Sequence, residues 1–303
     1  MYVLGRKLFH VTAPLWVCES HFLRLGDDVD ALPAPLRDDP DAAGAMINSQ
    51  PVPGDLPPLV RRGDVYRWVP NHFDRRLLRT DGTWSDYLAK FTGRTRKRLV
   101  SQVRKYVQAA GEDPLRIYRT PDEVRAFLAS ARGLSPRTYQ ERIFRKSLPA
   151  TPEFFARTMQ LAEEGRTLGA ILEHRGSPAC FWWFTLDRGV LVSEYTGYDA
   201  ALRALSPGTT LFFLLLPHLF ADPAIHVIDF GEGDGEYKRM FATESRRCAE
   251  VFWMRTRPST LTMMAAETGT RALRRAFQPI EEELDRRGLR APLKRLVRGQ
   301  ALA

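Results

Sequence analysis

After Gly165 the spacing of apolar residues changes from that of helices to that of strands. Thr167–His174, Ala179–Leu186 and Val190–Tyr198 are apolar or β-branched along most of their length, parted only by Arg175-Gly-Ser-Pro and Asp187-Arg-Gly. Connections this short close hairpins and leave no length for a crossover, so the three strands are antiparallel. The next stretch of chain is equally constrained. Gly208–Phe220 reads as an apolar helix, Ile225–Phe230 as a short buried strand and Cys248–Thr256 as a last strand. Crossing a bilayer takes roughly 20 apolar residues, more than Leu211–Phe220 supplies, so this run belongs in a core.

Helix signals precede the strands. Thr83-Trp-Ser-Asp-Tyr-Leu-Ala-Lys-Phe opens a short helix. Over 94–107, Leu99, Val103, Tyr106 and Val107 fall on one stripe, and Gly111 ends it. Leu115–Arg119 alternates as a strand. Thr120-Pro-Asp-Glu and Thr151-Pro-Glu-Phe each set a threonine cap before proline, and Glu123 completes a capping box. The order gives an α+β fold, a mixed, mostly antiparallel sheet flanked by helices. Residues 1–82 form an irregular, proline-rich region packing on that core. The runs Leu32–Asp41 and Gln50–Pro58 exclude long helices there, and only short strands near Leu15–Cys18 and Val65–Val69 are expected. The core is expected over 83–257. A basic helical tail comes after it over 258–303, with Leu273, Phe277, Ile280 and Leu284 as its stripe.

The chain has 303 residues, and 45 Lys+Arg against 36 Asp+Glu give +9. Nine basic and four acidic residues over 271–298 place about five of those charges in the tail. The balance admits nucleic acid, CoA-type phosphates and membrane surfaces alike. Cys18, Cys180 and Cys248 lie far apart without a C-x-x-C, and the histidines share no ligand spacing, so no metal is expected. The opening Met-Tyr-Val-Leu-Gly-Arg-Lys has no long apolar stretch behind it. A soluble, cytoplasmic protein is the expectation. Its oligomeric state is left open.

Three stretches carry chemistry. The turn Arg203-Ala-Leu-Ser206-Pro207-Gly208-Thr209-Thr210 feeds a helix. Free N–H groups and the positive dipole end at such a start suit a phosphate, though Pro207 and Gly208 also serve simply to begin a helix. The second stretch is Asp229-Phe-Gly-Glu232-Gly-Asp234-Gly-Glu-Tyr237-Lys238. Its alternate glycines fold tightly and gather charge, either beside a ligand or as a strand-to-helix turn with an acidic rim. The third is the basic helix with Arg94, Arg96, Lys97, Arg98, Arg104 and Lys105 and no acid, a phosphate track or a solvated face. Trp182, Tyr195 and Tyr198 are aromatic candidates for an acceptor pocket, or core. Ser135, Ser193 and Ser206 lack the strand-turn-helix setting of a hydrolase nucleophile.

In combination these motifs carry a resemblance. Trp84-x-x-Tyr-Leu, Arg96-Lys-Arg-Leu, Gly197-Tyr-Asp, Ser206-Pro-Gly-Thr-x-Leu and Asp229-Phe-Gly-x-Gly-Asp-x-x-Tyr-Lys-x-x-Phe resemble the CelD/BcsL-type branch of the GNAT acyltransferases. That branch is in turn similar to the FemAB aminoacyl transferases, and the likeness spans roughly 83–256. It implies a GNAT-like fold whose splayed central strands hold an acyl donor while an amine attacks the carbonyl directly. The family's Gln/Arg-x-x-Gly-x-Gly/Ala turn is Arg203-x-x-Ser206-x-Gly208 here, without the first glycine. The resemblance assigns Arg203, Ser206, Pro207, Gly208, Thr209 and Thr210 to the donor. Asp229, Glu232 or Asp234 would be base, Tyr237 acid, and Lys238 would neutralise a phosphate or oxyanion. Acyl-CoA is the expected co-substrate, with a small-molecule amine or amino sugar as acceptor. An aminoacyl-tRNA donor is the alternative, and a non-catalytic binding module on the same fold the third.

Overall fold

The computed structural model describes residues 2–3, 6–7, 15–18, 21–26, 28–111, 113–134, 148–233 and 235–270. Asp234, Ser135 and the tail stripe Leu273–Leu284 lie outside the described residues. The chain forms two compact units, Met1–Phe73 with Arg247–Ala303, and Asp74–Arg246.

In the first unit, β1 (Tyr2–Val3) and β2 (Arg6–Lys7) make a two-stranded ladder. β3 (Leu15–Val17) runs parallel to β4 (Gly44–Pro51), and α1 (Ala34–Asp38) lies between them in sequence. β5 (Leu59–Arg62) pairs antiparallel with the start of β6 (Val65–Arg79). The strands are longer than the proline content leads one to expect, because the prolines concentrate between the strands. β4 shows no strand alternation in sequence. Gln50 is buried all the same, because its amide nitrogen donates to the carbonyls of Gly26 at 2.7 Å and Pro51 at 3.3 Å. Leu36, Val65, Val69, Val251 and Trp253 form one of this unit's cores. Residues 258–270 are helical.

In the second unit the elements keep the predicted order. They are α2 (Trp84–Ala89), α3 (Gly93–Ala110), β7 (Leu115–Tyr118), α4 (Pro121–Leu134), α5 (Pro152–Glu163), β8 (Thr167–His174), β9 (Ser177–Asp187) and β10 (Val190–Tyr198). After a 3-10 turn at Ala200–Leu205 come α6 (Pro207–Phe220), β11 (Val227–Asp229), α7 (Glu236–Phe241) and β12 (Glu244–Arg255), which continues into the first unit. The threonine caps form as read. Thr151 Oγ1 accepts the N–H of Phe154, and Glu123 accepts the N–H of Thr120 while Thr120 accepts that of Glu123. β7, β8, β9 and β10 are antiparallel neighbours, β10 then pairs parallel with β11, and β11 antiparallel with the end of β6.

The two faces of this sheet bury different clusters, as strand alternation requires. Trp182, Phe184 and Leu191 face α3, α6 and α7, whereas Phe181, Trp183 and Ile171 face α4 and α5. α6 is apolar on nearly every face because most of it is covered, His218 being its one exposed residue. Leu211, Phe212, Leu215, Leu216 and Leu219 are fully buried, each contributing about 1.5–3 kcal/mol relative to exposure. On the other face Phe127 stacks on Trp183 at 5.2 Å directly over Gly169. A Cβ at 169 would sit 2.7 Å from the Phe127 ring, so only glycine permits that contact.

Candidate active site

β10 and β11 share rungs only at Val190↔Val227, Leu191↔Ile228 and Val192↔Asp229. Beyond Val192 the strands part, and the rest of β10 faces no strand on that side among the described residues. Beside this opening lies a cleft of about 290 Å³ lined by Trp182, Thr196, Tyr198, Arg203, Ser206, Pro207, Gly208, Thr209 and Tyr237. Three groups separated in sequence thus share one wall: strand aromatics, the helix-start turn, and the first turn of α7.

The helix start is built to leave donors free. Ser206 is left-handed, with φ 49° and ψ 55°, a conformation that costs a non-glycine residue on the order of 1 kcal/mol. Its side chain makes no capping bond to α6, and Pro207 at the first helical position has no N–H to satisfy. Gly208 and Thr209 therefore present backbone donors at the cleft wall. Arg203 is exposed, with no ion-pair partner among the described residues, and its carbonyl accepts the Ser206 N–H at 3.0 Å. Thr210, grouped with this turn in sequence, is fully buried and does not line the cleft.

Tyr237 reaches the cleft from α7, its ring 5.7 Å from Trp182 and 6.2 Å from Phe230. Burial raises its phenol well above the usual value, so it stays protonated and able to donate. The far end of α7 is pinned as well. Tyr87 donates its hydroxyl to the Phe241 carbonyl at 2.6 Å, and Lys90 donates to the Phe241 and Ala242 carbonyls at 2.8 and 2.7 Å.

The glycine loop is shaped by its own charged residues. Asp229 is fully buried and accepts from Arg75 through both carboxylate oxygens and from the Gly231 N–H at 2.9 Å. Gly231 has φ +72°, the left-handed region that this turn demands of it. Lys238 is buried and donates to the carbonyls of Gly231 at 3.3 Å and Glu232 at 2.5 Å. Both residues hold the loop in shape from within, and neither lines the cleft. Glu232 is exposed on the loop. Tyr195 is also absent from the cleft wall. An extra residue in β10 turns it to the opposite face, edge-on to Phe154 at 5.7 Å.

Arg75, Thr196 and Ser193 belong to this region without having been singled out as site residues from their sequence. A lone acid in the apolar run Val227-Ile-Asp229-Phe signals the need for a cation, but not which one. Thr196 is reached from Tyr198 by two-residue alternation. α3 carries its six cations on exposed positions, and none makes an ion pair among the described residues. α3 packs against α6 and against the Ala200–Leu205 turn. No group of His, Cys, Asp and Glu among the described residues is arranged to hold a metal, and no described helix is long and apolar enough to span a membrane.

Residues 93–239 match the family model of the acetyltransferase (GNAT) domain. No curated protein matches the chain at a significant level. Many solved structures resemble it, and three of them follow. The C-terminal domain of a protein described as a lysylphosphatidylglycerol synthetase from Agrobacterium fabrum is 10% identical, with TM-score 0.49 over 75% of this chain and 73% of its own. L-PGS from Bacillus licheniformis is 13% identical, with TM-score 0.46 over 74% and 72%. FemX is 11% identical, with TM-score 0.48 over 74% and 75%. Residues 93–239 are an acyltransferase domain with the GNAT fold.

Proposed function

We propose that this domain transfers an acyl group from acyl-CoA to an amine of a small molecule or amino sugar by direct attack. The observation that carries the proposal is the cleft itself, in which an uncapped helix start, an Arg203 with no ion pair among the described residues and the edge of β10 that no described strand covers converge. The donor's phosphates sit at the N–H groups of Gly208 and Thr209 and at Arg203, where the helix dipole favours negative charge. The thioester then extends along Thr196 and Tyr198 toward Trp182. The amine nitrogen adds to the carbonyl carbon, a C–N bond forms, and the C–S bond breaks. The ammonium proton passes to a carboxylate or water, and the departing thiolate takes a proton from the Tyr237 hydroxyl. Asp229, tied to Arg75, is set aside for the loop, which leaves Glu232 and Asp234 as candidates for the base.

A second reading has an aminoacyl-tRNA as donor. It is favoured by the six exposed cations of α3, which form no ion pair among the described residues, and by the packing of α3 beside the Ala200–Leu205 turn. Phosphate-backbone contacts of that kind predict binding that falls steeply with salt. The test is amide formation from a panel of amines and amino sugars, with acetyl-CoA or aminoacyl-tRNA as donor and with or without ribonuclease. Product from acetyl-CoA that is insensitive to ribonuclease supports the first reading, and the converse supports the second. No amide from either donor overturns both.

A further inference from the structure

Ser193 has a feature that none of the roles above uses. In β10 the register passes from Ser193↔Phe184 to Tyr195↔Trp183, so Glu194 is an inserted residue. Glu194 and Tyr195 both turn to the face away from the cleft, where Glu194 accepts the Thr185 hydroxyl at 2.9 Å. Ser193 and Thr196 are thereby returned to the cleft face. Trp182, 2% exposed, donates its indole N–H to Ser193 Oγ at 2.7 Å. The indole therefore occupies one side of the oxygen and forces the hydroxyl hydrogen away from it. No described residue accepts that hydrogen.

The position is specific. Val192↔Asp229 is the last rung shared with β11, so Ser193 is the first residue past the point where the strands part. Gly231 lies across the gap, close enough that a Cβ there would be 3.4 Å from the Ser193 carbonyl. Trp182, which fixes the hydroxyl, is one of the aromatic walls of the cleft, and Ser193 sits just behind it, at the opening between the strands rather than in the lining itself.

We propose that Ser193 is a catalytic donor, its hydroxyl bonding the carbonyl oxygen of the bound acyl group as the amine adds. The inference rests on the acyl-transfer reading above. Charge develops on that oxygen as the C–N bond forms, and a donor already aimed at it needs no reorganisation. Accepting the indole N–H polarises the hydroxyl and strengthens its own donation. No proton need leave Ser193, and the C–S bond then breaks as the carbonyl re-forms.

The test is isotope-edited infrared spectroscopy of acetyl-CoA labelled with carbon-13 at the carbonyl, bound to the full chain. In the wild-type protein the carbonyl stretch shifts down on binding. Ser193→Thr keeps the shift, and Ser193→Ala abolishes it while acetyl-CoA still binds. With glucosamine as acceptor, turnover in Ser193→Ala falls roughly 10²-fold with KM for acetyl-CoA unchanged. Should Ser193→Ala not fold, Trp182→Phe retains the hydroxyl without its fixed orientation, and a weakened shift is expected. Binding with the same shift in the wild type and both variants overturns the Ser193 role and leaves acyl transfer standing. Absence of acetyl-CoA binding by the wild type overturns the CoA reading and this inference with it.

Discussion

Arg75 and Asp229, 154 residues apart in sequence, form a bidentate pair, with Nη2 2.6 Å from Oδ2 and Nε 3.0 and 3.1 Å from the two carboxylate oxygens. The carboxylate is fully buried and the arginine side chain only 12% exposed. Removing one charge strands the other, which typically costs about 3–5 kcal/mol. Asp229→Asn is therefore expected to lower stability by about 3 kcal/mol in urea unfolding. Full stability with lost turnover would make Asp229 the base instead.

Tyr237 separates acid catalysis from packing. Its phenol stays protonated beyond its ordinary value of 10.0, because burial disfavours the phenolate. Turnover should show no alkaline loss from this group below pH 10. Tyr237→Phe keeps the ring beside Trp182, so stability should hold while kcat falls roughly 10²-fold. An unchanged kcat would remove it from the chemistry.

Much of this site was legible in the sequence, and the exceptions share a physical cause. Helix starts, hairpins and the apolar α6 arise from local rules that neighbouring residues satisfy among themselves. The cleft's Arg203-to-Thr209 turn, Trp182, Tyr198 and Tyr237 arise from motif and alternation. Two facts do not. Arg75 belongs to a 15-residue strand of which only Val65–Val69 was expected, and its partner arrives 154 residues later. The inserted Glu194 breaks the two-residue period, which sends Tyr195 to the wrong face for a pocket and Ser193 to the right one. Register is a property of strand pairs, and a single strand does not reveal it.

A separate pH dependence is expected in the first unit. His72 Nε2 accepts the Leu56 N–H at 2.9 Å and so must be unprotonated there. Burial lowers its pKa from 6.5, the Arg247 charge acting in the same sense and Asp55 opposing. A depressed folded value means stability is fully present above pH 6.5 and is lost as the pH falls below it. His72→Gln retains an acceptor that does not titrate, and unfolding midpoints between pH 5 and 7 should flatten. An unchanged slope would place the dependence elsewhere.

The cations of α3 discriminate between donors. Replacing Arg96, Lys97 and Arg98 with alanine touches no ion pair among the described residues, so stability should change little. If a nucleic acid docks there, the slope of log affinity against log salt should shrink by roughly two to three for three lost phosphate contacts. If CoA is the donor, its affinity should barely move.

The most direct measurement is a calorimetric titration of the wild-type chain with acetyl-CoA, repeated with Arg203→Glu. The expected result is saturable one-to-one binding that weakens at least tenfold when the cation beside Ser206 is reversed. Acetyl-CoA that fails to saturate the wild type, or binds both proteins equally, would contradict a donor held at the start of α6.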